Sequence, residues 1–174
     1  MTTQTQTAFT TPYLWDKVAQ ELNTSIATLG YFDDMYRVAH VGFDEEETFP
    51  EVYKNDGSRD NFRILPDSTR AVSFFILTGD VTENDEYHVT CPMAFCAWVN
   101  LELVDATKNY DYTSELVRDC FNKIRAYGCY DIVIDVSTPF DGFTQLSKDV
   151  AANIMRPYSG FKISFNKNIE VCQP

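Results

Sequence analysis

Residues 71–104 read AVSFFILTGDVTENDEYHVTCPMAFCAWVNLELV, and their reading decides the fold. Residues 71–78 are rich in strand formers, 79–86 (GDVTENDE) form an acidic connection, and 87–104 are a second, longer strand-forming run. Two such runs joined by polar residues predict a long antiparallel hairpin. Pro92 marks a bend or bulge. The segment AFCAWVNLELV has little polar interruption, so it is expected to be buried on both faces or to sit in the middle of a sheet.

Working outward, residues 112–127 carry Leu116, Val117, Cys120, Phe121, Ile124 and Tyr127 on one stripe. Glu115, Arg118, Asp119, Lys123 and Arg125 take the other side. That is an amphipathic helix stopped by Gly128. Another opens at Thr11-Pro12, with Thr as N-cap and Pro at the first helical position. It repeats Leu14, Val18, Leu22 and Ile26 and ends at Gly30. Between the first helix and the hairpin, strands are expected at 35–43, 49–54 and 62–65. Pro50 places the second at an edge or a strand start. An acidic turn (Asp44, Glu45, Glu46, Glu47) separates the first two, and Asn55-Asp56-Gly57-Ser58 follows the second. Beyond the second helix come a strand at 132–136 and a loop at 137–143. Residues 146–155 read as a short helix or an irregular excursion. The final strand reaches Val171, with Phe161, Ile163 and Phe165 alternating with polar residues. The fold class is α+β: a mostly antiparallel β-sheet with a long hairpin and two main helices packed on one face. Residues 1–10 form a polar N-terminal arm, expected to cross to a neighbouring subunit, and 11–174 a single α+β domain.

The 174 residues include 26 acidic and 14 basic side chains, a net charge of −12. That argues against ordinary binding of a phosphate backbone, which needs clustered cations. No apolar run approaches the roughly 18 residues of a membrane span. The start lacks a signal peptide's basic and apolar regions. A soluble, unprocessed chain with no membrane partner is expected. The five cysteines form no CxxC pair and read as reduced, buried thiols.

Chemistry-bearing patterns are sparse. His88 and Cys91 have H-x-x-C spacing, with Cys96 and His40 as further candidates. Strand positions three apart point to opposite faces, so no metal is expected. Asp131 and Asp135, four apart on a strand, share a face and could do acid–base work. There is no GxSxG, GxxxxGK or GxGxxG. The reading is no enzyme and no cofactor. A small enzyme using Asp131/Asp135, or a ligand-binding domain, is the alternative. The informative groups are two acidic loops: Asp44, Glu45, Glu46, Glu47, and Asp80, Glu83, Asp85, Glu86. Repeated around a ring, they would line a surface that repels nucleic acid.

Four segments are distinctive together: FPEVYKNDGSRDNFRILPDSTRAVSFFIL, MAFCAWVNLELV, NYDYT before the second helix, and MRPYSGFKISF near the end. The pattern over 49–171 resembles head–tail connector proteins of tailed phages of Bacteroides-type hosts, including crAss-like phages: the ring or neck proteins with a tail-terminator-like fold. The resemblance implies a structural virion protein of the neck or tail, assembled in the host cytoplasm. It implies a six- or twelve-fold homo-oligomeric ring, portal, ring or tail proteins as neighbours, and DNA only as passing cargo.

Overall fold

The second half of the hairpin becomes the central strand of the molecule. In the computed structural model, which describes residues 14–53, 58–146 and 156–171, strand β7 runs from His88 to Asn100. It pairs antiparallel with β5 (Ala71–Leu77) on one side and with β9 (Tyr158–Glu170) on the other. Two further strands complete this sheet. Strand β1 (Asp34–Val38) lies parallel to β5 at one border, and β8 (Tyr130–Asp135) lies antiparallel to β9 at the other. The order is β1-β5-β7-β9-β8.

Alternation along β7 separates two apolar layers. Cys91, Met93, Phe95, Ala97 and Val99 face one layer, and Cys96 and Trp98 face the other. All are buried, as the uninterrupted apolar run requires. Helices α1 (Trp15–Ala27) and α3 (Thr113–Ala126) cover the first layer side by side. They run antiparallel: Tyr127 donates to Glu21, Lys123 to Thr28 at 2.8 Å, and Tyr31 to Asp119 at 2.7 Å. Phe62, Leu65, Phe140, Phe143 and Leu146 cover the second layer. Gly160 lets this layer pack closely, because a Cβ would stand 3.0 Å from the Phe140 ring and 3.3 Å from Pro139.

Several expectations are corrected. The strand expected at 35–43 is two strands. Ala39 donates to the Phe75 carbonyl at 2.7 Å, closing β1, and the chain then leaves for a separate sheet. That sheet has the order β2-β3-β4, formed by His40–Asp44, Glu47–Tyr53 and Arg59–Asn61. Pro50 therefore sits in a central strand, not an edge. Its carbonyl accepts from Phe62, so its missing donor faces the chain just past the last residue of β4, where the ladder has run out. The short strand precedes 62–65 instead of occupying it. The long run stops at Asn100, whose side chain accepts from the Leu103 N–H at 3.2 Å and caps a short helix, α2 (Leu101–Val104). Part of the acidic connection is itself strand: β6 (Thr82–Asp85) folds back on β7. Helix α1 begins at Trp15, because Leu14 has φ of 50° and lies outside the helical region. The arm at 1–10, the Thr11-Pro12 start, Asn55-Asp56-Gly57, Cys172 and nearly all of 146–155 lie outside the described residues. No helix among the described residues is long and apolar enough to cross a membrane.

Phe95 anchors the helical layer. Its ring meets Phe32, Phe75 and Phe161 at centroid distances of 5.7, 5.2 and 6.2 Å. Phe95→Ala is expected to lower the free energy of unfolding by about 3–5 kcal/mol, read from urea denaturation.

Candidate interaction surfaces

Asp131 and Asp135 were the residues best placed for chemistry, and β8 separates them. Asp131 has φ of 51° and sits in a register shift between Tyr130 and Val133. This bulge inserts a residue that simple alternation does not count. Asp131 accepts from Asn166 at 3.2 Å, while Asp135 lies opposite Lys162, its Nζ 3.8 Å away. Asn166 and Lys162 are four residues apart along β9, about 13 Å. The two carboxylates form no shared site.

Asp135 closes a turn. Its oxygens accept from the backbone N–H groups of Ser137 and Thr138, both at 2.9 Å, and from their hydroxyls at 3.1 and 2.9 Å. Partial desolvation pushes its carboxyl up, but those four donors outweigh it and hold the pKa at about 2. A group ionised at every ordinary pH cannot trade protons near neutrality.

The thiols are equally poor reagents. Burial pushes Cys96 and Cys120 up to about 12 and Cys129 to about 11, and it raises Cys91 too. His88 turns to Asp85, with Nδ1 at 2.9 Å, on the β6–β7 hairpin. Among the described residues no three His, Cys, Asp or Glu side chains gather as a metal site. A cleft between the end of α1 and the start of α3 is crossed by an ion pair. Lys108 Nζ lies 2.5 Å from Glu115 and 4.5 Å from the centre of the Tyr112 ring.

The first acidic group sits at a hairpin tip, whereas the second, expected as a loop, runs along β6 to the turn that leads into β7. Asp44 and Glu47 are opposed at the ends of β2 and β3, with Glu45 at φ of 53° in the turn between them. Asp80 precedes β6, Glu83 and Asp85 lie on it, and Glu86 turns into β7. Asp44 pairs with Arg63 at 2.5 Å, and Asp85 accepts the ring of His88 as a hydrogen-bond partner at 2.9 Å. The tips do not come together. Thr48, next to the first, donates to the Gly142 carbonyl at 2.9 Å, beneath the layer around Phe74. The second extends past the end of β5.

Sequence reasoning missed the exposed apolar side chains. Residues 132–136, expected only as a strand, read IVIDV, four β-branched residues and one aspartate, a composition that suits a half-buried strand. Yet Val133 is 63% exposed, Ile134 44% and Val136 52%. They lie on or just past β8, one of the two border strands of its sheet among the described residues. A second group lies on the smaller sheet. Val41 and Phe43 share a side of β2, and Phe43 is 76% exposed. Ile64, 75% exposed, follows the Arg63 that pairs with Asp44. Gly42 between them is packed so tightly on Phe49 that a Cβ would overlap the ring. This stiffens the strand that presents them.

No family model matches the sequence, and no curated protein does. Among solved structures, the fold is similar to the sheath/tube terminator of an extracellular contractile injection system, PVC, in its extended state. The TM-score is 0.37 with 12% identity over 94% of this chain, which spans 58% of that protein's length. A likeness of this degree fixes neither a shared fold nor a shared role.

Asp135→Asn removes the carboxylate that gathers four donors, and is expected to lower stability at neutral pH by about 1 kcal/mol. The folded pKa lies below the unfolded 3.8, so this stabilisation is complete above 3.8 and lost as pH falls through about 2. Denaturant midpoints of the two proteins should converge over that window.

Proposed function

We propose that this chain is a structural subunit of a homo-oligomeric ring in a phage head–tail connector, a component of the virion neck or tail that is assembled in the host cytoplasm. The observation that carries the assembly is β8. It is an outermost strand with β-branched residues exposed on both of its faces. The bulge at Asp131 and the charge of Asp135 blunt the ends of this edge, while Val133 and Ile134 between them stay exposed to another strand. A second, unlike apolar surface, around Phe43 on β2, lies on the smaller sheet that continues from the opposite border. Two unlike surfaces on one chain favour head-to-tail contact, which closes into a ring when the rotation allows. The sequence resemblance over 49–171 supports placing that ring, six- or twelve-fold, beside portal, ring or tail proteins. The acidic balance supports DNA as cargo that passes without adhering.

Light scattering tests the assembly. The wild-type chain should show a mass six to twelve times that of one copy. Val133→Lys should reduce it to that of one copy while circular dichroism stays unchanged, because Val133 is exposed. A wild-type chain that remains single at concentrations near 1 mM contradicts the proposal.

The acidic tips supply the channel. In a ring each tip recurs at one radius, and a belt of carboxylates repels DNA within the roughly 8 Å Debye length of physiological salt. Asp80, Glu83, Asp85 and Glu86 are the better candidates, because β6 and the start of β7 carry them beyond the end of β5. Replacing these four by Lys should leave the ring mass unchanged and slow DNA passage through assembled particles. Unchanged passage, or an assembled structure with both tips on the outer wall, counts against this assignment.

A further inference from the structure

Resting on that ring, we propose that residues 1–13 of one copy add a strand to the free edge of β8 in the next copy. The edge itself sets the requirement. Among the described residues β8 is paired only with β9, and Val133, Ile134 and, just beyond, Val136 are exposed. A strand that joins it must suit β-branched neighbours and must not bring carboxylates against Asp131 and Asp135.

A second β8 and strand β2 fail the charge condition. A second β8 laid antiparallel about Val133 would set Asp131 against Asp135 at both ends, and opposed like charges destabilise a ladder. Strand β2 ends in Asp44 and leads into Glu45, so its approach adds acid to acid. Residues 1–13 are different. In a chain of net charge −12, no Asp, Glu, Lys or Arg occurs before Asp16. Six of the first eleven residues are threonine, a good strand former. Thr3, Thr5, Thr7 and Phe9 alternate with Gln4, Gln6 and Ala8, which gives two distinct faces at the period of a strand.

Reach decides which copy receives the segment. Tyr127, three residues before β8 begins, donates to Glu21, so α1 starts about two turns beyond the end of α3. Leu14, where the described chain begins, therefore lies at the end of the helical layer where β8 starts. Helix α1 packs on β1, and the slot outside the chain's own β8 is five strand spacings away, about 24 Å. Pairing with the six residues of β8 leaves seven of the thirteen as tether, at most about 25 Å fully extended. That leaves no slack to round α3 and drop to the sheet. The β8 of an adjacent copy, facing the exit, needs no such detour. The added strand would use backbone bonds for affinity and alternate side chains for register, the mode of β-augmentation.

Photo-crosslinking on the full chain tests this. Copies carrying p-benzoylphenylalanine in place of Thr5 are mixed with isotopically heavy, unsubstituted copies, assembled and irradiated, and the adducts are mapped by mass spectrometry. Adducts should join position 5 of one copy to residues 130–136 of a heavy copy. Adding Thr3→Pro and Thr7→Pro, which remove ladder donors, should lower their yield about tenfold. Adducts confined to one copy, adducts elsewhere, or a yield indifferent to the prolines overturn the inference. Light scattering on the same sample separates it from the ring itself. A ring without β8 adducts ends only the strand exchange, whereas single copies without adducts end both.

Discussion

Everything in this molecule is arranged around a strand with no free side. β7 is bonded to β5 and β6 along one border and to β9 along the other, and from Cys91 to Asn100 all but Pro92 are buried. Backbone groups in such a position must be satisfied by the ladder, and apolar side chains on both faces must be covered. That constraint calls for two layers. The amphipathic helices α1 and α3 supply one. The smaller sheet and the Phe140–Leu146 turn supply the other, which is why the chain breaks out of the main sheet at Ala39 after pairing only five residues of β1.

Much of this was legible. The stripe of α3, the alternation of β9 and the unbroken apolar run of β7 each state their burial directly, because helix and strand periods map side chains to faces. The break at Ala39 was not legible. Residues 35–43 look uniformly strand-like, and only a long-range bond to Phe75 divides them. The end of β7 at Asn100 hid because LELV suits strand or helix equally, and the deciding signal was the asparagine before it, a good N-cap. Asp131 misled for a different reason. Four-residue spacing implies a shared face only where the ladder is regular, and the bulge at a left-handed aspartate removes that condition. The acid–base reading failed with it.

The most useful disagreement concerns residues 132–136. Four of the five are apolar and β-branched, yet in a single copy Val133, Ile134 and Val136 are exposed. Local pattern and global environment usually agree in natural sequences, and the places where they conflict tend to be functional. A strand written for burial but left at a border implies that its cover comes from elsewhere.

The central claim is that β8 is completed by assembly, and amide hydrogen exchange followed against protein concentration tests it most directly. The account predicts that β7 amides exchange slowest at every concentration. The outward amides of β8 should exchange rapidly in dilute protein and become protected as the concentration rises. Outward amides that stay unprotected at all concentrations, or that are equally protected in the most dilute sample, would contradict it.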